Sequence, residues 1–228
     1  MGQYYRPSIL KTNYKLAKNL VEITLYSGDF ADNGLKLMEH SWAGNALVGA
    51  FIHLIGENSP YYGQPCVWAG DYADPFTSRM VKFEDDINIY SFAKTIDEKL
   101  GSVENRRSII QHYEKYKKVF DKNIFYDDSY KSWRGNDVPF VNCVNNLDSY
   151  KYVVNIRTKE YIEIPEYDKS KWTVHPLPLL LAESNGRGGG DYHGTNKQMC
   201  GRWAYHPIGA TNTIPTGYKQ LVVEFNEG

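Results

Sequence analysis

Between Ser184 and Gly194 the chain reads Ser-Asn-Gly-Arg-Gly-Gly-Gly-Asp-Tyr-His-Gly, five glycines in eleven residues. A tight turn needs only one or two. Glycine loses more backbone freedom on folding than any other residue, so such a run is kept where the chain takes positive φ or passes close to another group. The segment marks a place suited to binding.

The rest of the chain can bury a core around that segment. It has 228 residues, 42% hydrophobic and 23% charged, which fits a single domain of residues 1–228 or a domain carrying an insertion. The formal net charge of -1 gives no electrostatic footprint for duplex nucleic acid or an anionic membrane. Cys66, Cys143 and Cys200 are an odd count without a C-x-x-C pair, which suggests neither a disulfide framework nor a zinc knuckle and fits a reducing, cytoplasmic setting. The opening Met1-Gly2-Gln3-Tyr4-Tyr5-Arg6-Pro7 lacks an apolar leader core, and Arg6 stands where a myristoylation motif requires Ser or Thr. No apolar run approaches the roughly 18 to 20 residues of a membrane span.

Periodicity gives the organisation. Tyr4 to Leu10 reads as a short strand that Pro7 places near a sheet edge, and Val21, Ile23 and Leu25 alternate as in a half-buried strand. From Asn45, a suitable N-cap, Ala46, Leu47, Ala50, Phe51, Leu54 and Ile55 follow a helical period that Gly56 stops. Cys66 to Ala69 reads as a buried strand. Residues 84–123 carry two helical faces, Phe92-Ile96-Leu100 and Ile109 to Phe120, and are expected to form a helical insertion. Phe140 to Val144 and Tyr150 to Ile156 read as strands, with a hairpin turning at Arg157 to Glu160. Leu179 to Ala182 is expected to be a buried strand leading into the glycines, and Gln220 to Phe225 a strand that closes the sheet. The fold class is therefore α+β, with a mixed or mainly antiparallel sheet and a helical insertion, because strands cluster at both ends instead of alternating with helices.

Successive N–H groups in the glycine-rich stretch can form an anion nest, and Arg187 can add a bidentate fork for phosphate or carboxylate. Asn185, Gly186, Arg187, Gly188, Gly189, Gly190 and Asp191 are thus candidate ligand-binding residues. No G-K-[ST] follows, and Asp191 stands where a dinucleotide motif needs its third glycine, so neither phosphate fingerprint applies. A long turn in which Arg187 pairs with Asp191 would account for the same residues. Gly28-Asp29-Phe30-Ala31-Asp32 echoes Gly70-Asp71-Tyr72-Ala73-Asp74, and Gly190-Asp191-Tyr192 repeats the beginning. That pattern can gather aspartates at strand ends, which makes Asp71 a further candidate, or it can be ordinary turn chemistry. His40, His193 and Asp71 are candidates for acid–base catalysis, against a reading in which His40 is satisfied by a backbone carbonyl. No histidine pair has metal-ligand spacing, so no metal or cofactor is called for. Nineteen tyrosines, together with Trp42, are material for stacking bases or for sticky surfaces, although an AT-rich genome produces the same composition.

Four blocks resemble a family of uncharacterised proteins from bacteria and their phages: Met1 to Tyr5, Asn33-Gly34-Leu35-Lys36-Leu37-Met38-Glu39-His40-Ser41-Trp42 with Gly44-Asn45, Val67 to Asp74, and Ala182 to Tyr192. The resemblance covers roughly the first and last thirds of the chain. It implies a bacterial or phage-infected cytosol, lends no catalytic residue, and implies that the two regions form one site with the helical region inserted between them.

The leading expectation is a binding protein for a phosphate-bearing small molecule or nucleotide, which in the phage setting of the resemblance would act in counter-defence or host interaction. One alternative is a hydrolase or phosphodiesterase using His/Asp chemistry. Another is a protein-binding inhibitor or structural protein that engages a host protein.

Overall fold

The computed structural model describes residues 3–12, 21–27, 30, 34–73, 89–91, 150–168, 170–184 and 192–226. Their strands are β1 (Tyr5–Leu10), β2 (Val21–Thr24), β3 (Gln64–Gly70), β4 (Tyr152–Asn155), β5 (Glu160–Glu163), β6 (Ala182–Glu183), β7 (Pro207–Thr211) and β8 (Lys219–Gln220). They form one mixed sheet in the order β2-β1-β3-β7-β4-β5-β8, with β6 joined to β3. Two pairings, β3 with β6 and β5 with β8, are parallel, and the other five are antiparallel. The architecture is α+β. Most of the expected helical insertion, residues 84–123, lies outside the described residues, as do Phe140 to Val144; residues 89–91 are helical.

The central strand β3 is buried on both faces. Cys66 and Trp68 point into the larger cluster with Tyr5, Ile9 and Phe51, whereas Val67 and Ala69 point into a smaller one with Leu10, Val21, Ile89 and Tyr205. This explains why its sequence lacks the alternation of a half-exposed strand. Helix α1 (Leu37–His40) and helix α2 (Ala46–Leu54) belong to the larger cluster. The Asn45 side chain caps α2 by accepting from Leu47 N at 2.9 Å and Val48 N at 3.2 Å. Seven of the nine α2 residues are buried, including Val48 and Ile52 outside the expected apolar face, so the helix is enclosed instead of lying on a surface. Phe51 meets Trp68 edge to face at 5.0 Å; burying such a ring contributes roughly 1.5–3 kcal/mol.

Two expectations need correction, while a third holds: Pro7 stands near a sheet edge, since β1 lies between the terminal strand β2 and β3. The Pro7 carbonyl accepts from Leu25 N, just beyond the last residue of β2. The nitrogen and carbonyl of one antiparallel residue face the same neighbour, so the missing N–H faces a point where the β2 ladder has ended. Leu179 to Leu181 are helical, not a strand, and belong to α3 (Pro176–Leu181). Pro176 is preset for the first helical position, and the His175 ring caps the helix by accepting from Leu177 N at 3.2 Å. Finally, only Lys219–Gln220 of the tail pair as a strand. Leu221 N still donates to Tyr161 O, and beyond it the chain alternates in burial without a ladder.

Tyrosine rings lie against several glycines. A Cβ on Gly44, Gly56 or Gly209 would overlap Tyr167, Tyr150 or Tyr62 respectively. Part of the tyrosine content therefore fills space that glycine leaves over the backbone.

Candidate functional site

The blocks separated in sequence meet at one end of the sheet. Tyr5 N donates to Leu35 O, Tyr4 bridges Lys36, and Asp71 N donates to Tyr4 O at 2.9 Å. The Asp71 carboxylate is held in turn by Tyr4 N at 3.0 Å. Beside it, β6 runs parallel to the end of β3, with Ala182 opposite Trp68 and Glu183 opposite Ala69. Ser184, buried, is the residue from which the glycine-rich segment departs. Gly70 is required at this junction, since a Cβ would come within 2.9 Å of the Glu183 carbonyl and 3.1 Å of both Gln3 Oε1 and the Tyr5 ring.

Asn185, Gly186, Arg187, Gly188, Gly189, Gly190 and Asp191 lie outside the described residues, as do Asp29, Asp32 and Asp74 of the Gly-Asp echo. The far side of the segment is described again at Tyr192. That ring is buried against Phe225 at 5.6 Å, and its hydroxyl donates to Thr195 O at 2.6 Å while accepting from Asn226 N at 3.1 Å. His193, the next residue, is exposed.

His40 is a structural residue. It is fully buried, and its Nε2 accepts from the Trp68 indole N–H at 2.8 Å. Indole nitrogen can only donate, so the imidazole proton sits on Nδ1 and is donated to Gly34 O at 3.2 Å. Burial holds the ring neutral by lowering its pKa to about 4, against smaller opposing effects of Gly34 O and Glu39. With both nitrogens engaged and no exposed edge, His40 is not available to a substrate, and the catalytic role considered for it is withdrawn. His175 is likewise buried, and its pKa is lowered to about 3 by desolvation.

Trp42 belongs to a neighbouring cluster, reached through α1. Residues 41–43 are zipped to residues 173–175: Ala43 N donates to Thr173 O at 2.8 Å, His175 N donates to Ser41 O at 3.1 Å, and Trp42 bridges Val174. The Trp42 ring lies 5.2 Å from that of Trp172 at an angle of 35°. Sequence reasoning missed Trp172, 58% exposed, and Tyr167, 46% exposed. Their signal was present in Glu166-Tyr167-Asp168-Lys169-Ser170-Lys171-Trp172, two large aromatics within a polar run.

Arg6 was missed as well. It is buried in β1, with its guanidinium 4.6 Å from the Tyr26 ring centroid and 5.4 Å from that of Tyr90. Paired strand residues share a face, so the registers Arg6–Ala69 and Ala69–Glu183 put Arg6 and Glu183 on the same face on either side of a small residue.

Among the described residues no group of three or more His, Cys, Asp or Glu is placed to hold a metal ion, and no helix is long and apolar enough to cross a membrane. No protein-family model, curated protein or solved structure matches the chain.

Proposed function

We propose that this chain is a binding protein for a phosphate-bearing small molecule, with a nucleotide as the favoured class. The observation that carries this reading is the parallel pairing of β6 with β3, which starts the glycine-rich segment beside Gly70–Asp71. In open α/β sheets ligands bind beyond the carboxyl ends of the strands, and Ser184 and Gly70–Asp71 lie at the carboxyl ends of two neighbouring parallel strands here. Backbone N–H groups of Gly186 to Gly190 and the Arg187 fork would hold the phosphate, Asp71 or Asp191 would accept ligand hydroxyls, and Trp42 would stack a base. In the setting implied by the family resemblance, sequestering such a molecule would serve a phage in conflict with its host.

Native mass spectrometry of the purified protein, with a thermal-shift screen of nucleotides and cyclic dinucleotides, tests the reading. A retained ligand, or a stabilisation that grows with ligand concentration as mass action requires, supports it. Arg187→Ala should then weaken binding by about 1.5–3 kcal/mol without unfolding the protein. No retained species and no shift across the panel would defeat it. Exposed Trp172 and Tyr167 support a second reading, an inhibitor that engages a host protein, for which a stable complex in a pull-down without any small-molecule shift is the expected outcome.

A further inference from the structure

We infer that the outer edge of β8 and the residues that follow it, from Gln220 to Val222, is a strand-addition site for an extended acidic segment of a partner protein. It lies four strands from β3 in the sheet order and does not depend on the nucleotide reading.

The edge is formed and open. β8 is the last strand of the sheet. Lys219 N donates to Lys159 O at 2.9 Å and Leu221 N to Tyr161 O at 2.8 Å, so these two residues turn their backbone groups toward β5. Successive residues of a strand direct their N–H and C=O to opposite sides, and Gln220 and Val222 therefore point theirs away from the sheet. Leu221 and Val223 pack on the core and keep the chain extended, whereas the Val222 side chain is 80% exposed. A lone exposed valine is ordinary. On an open edge it is a contact for the side chain of an added strand. The opening ends at Glu224, whose carbonyl accepts from Thr195 Oγ1 at 3.1 Å and Asn196 Nδ2 at 2.8 Å. Main-chain bonds to Gln220 and Val222 would supply affinity of the kind that strand addition uses.

Charge selects the occupant. Arg157 and Lys159 lie in the turn between β4 and β5, and Lys219 is bonded to Lys159 through the backbone. All three are exposed, and among the described residues none of them is in an ion pair. The one carboxylate beside them, Glu160, is paired with Arg202 and accepts from Thr158 Oγ1 and the Trp203 indole. On a chain whose formal net charge is -1, three uncompensated cations at one end of an open edge attract an acidic strand and repel a basic one. A second copy offers no such complement, because Tyr218 to Val223 contains Lys219 and no Asp or Glu. Nucleic acid would meet the cations but brings no peptide backbone to Gln220 and Val222.

The test uses the full chain and two short capped peptides, one alternating glutamate with valine and the other lysine with valine. Amide hydrogen exchange followed by NMR should show Gln220 and Val222 protected by the acidic peptide alone, less so as salt is added. Val222→Pro deletes an N–H that the β5 ladder does not use. It should weaken the acidic peptide between about twofold and tenfold, the range of one hydrogen bond, and leave the thermal midpoint in place. Lys159→Asn, suited to the φ of 53° at that position, should also weaken it by removing one charge. No protection by the acidic peptide, equal protection by both peptides, or an affinity indifferent to Val222→Pro would overturn the inference. Protection that grows with protein concentration in the absence of peptide would assign the edge to a second copy instead. Binding of oligothymidylate that is lost in Lys159→Asn and kept in Val222→Pro, without acidic-peptide protection, would assign the cations to nucleic acid and overturn it equally.

Discussion

The indole N–H of Trp68, at the centre of β3, donates to Nε2 of His40, the last residue of α1. This bond ties the block around His40 to the strand that leads to Asp71, and it joins two groups that are both fully buried. His40→Ala should leave the Trp68 N–H without its acceptor and create a cavity, with a cost of about 3 kcal/mol. Urea denaturation followed by tryptophan fluorescence measures it, and an unchanged midpoint would contradict the role assigned to this pair.

Acid sensitivity follows from the two buried histidines. Burial lowers the folded-state values, to about 4 for His40 and about 3 for His175, whereas the unfolded chain titrates near the ordinary 6.5. At neutral pH both states are unprotonated at these positions. As pH falls below the unfolded value, the unfolded chain takes up protons that the folded chain refuses, so stability is lost progressively. Each histidine contributes a slope of up to about 1.4 kcal/mol per pH unit. His175→Asn keeps a capping oxygen for α3 and removes one titrating group. Urea midpoints between pH 7.5 and 5 should fall less steeply in that variant than in the parent.

Asn45→Ala should cost about 1 kcal/mol by leaving Leu47 N and Val48 N without the cap. Asn45→Asp should restore most of it. Thermal or urea denaturation of the two variants tests the cap, and equal losses in both would show that the side-chain oxygen is not what matters.

Gly209→Ala would drive a methyl group into the Tyr62 ring. Overpacking of this kind costs about 1–3 kcal/mol. Tyr62→Leu should relieve it, so a double-mutant cycle should show strong coupling. Additive losses would place the tyrosine elsewhere in solution.

Legibility in the sequence divided along physical lines. Helix α2 and the β4–β5 hairpin were readable because a side-chain cap and turn residues bracket their periodic positions. The Leu179–Leu181 run was not, since a short wholly buried apolar run has the same composition in a strand and a helix. Its cap, His175, is a residue not ordinarily expected to start a helix. The tail misled differently, because alternation from Leu221 to Phe225 reflects an extended chain without a continuous ladder: Leu221 N donates to Tyr161 O, and Glu224 O accepts from the Thr195 and Asn196 side chains. At the end of the sheet, the meeting of Tyr4, Lys36 and Asp71 beside β6 was not legible from periodicity, because it depends on pairings between segments far apart in sequence. Arg6 and Trp172 were passed over because one charge within an apolar strand and one aromatic within a polar run each read as noise until register and packing supply their neighbours.

Tyr192 is anchored by Phe225 and Asn226, while Ser184 follows a strand held by β3. Ser184 and Tyr192, the described residues on either side of the glycine-rich segment, are therefore held by separate elements, so a change that loosens the stretch around Asn226 would leave the Ser184 end anchored to β3.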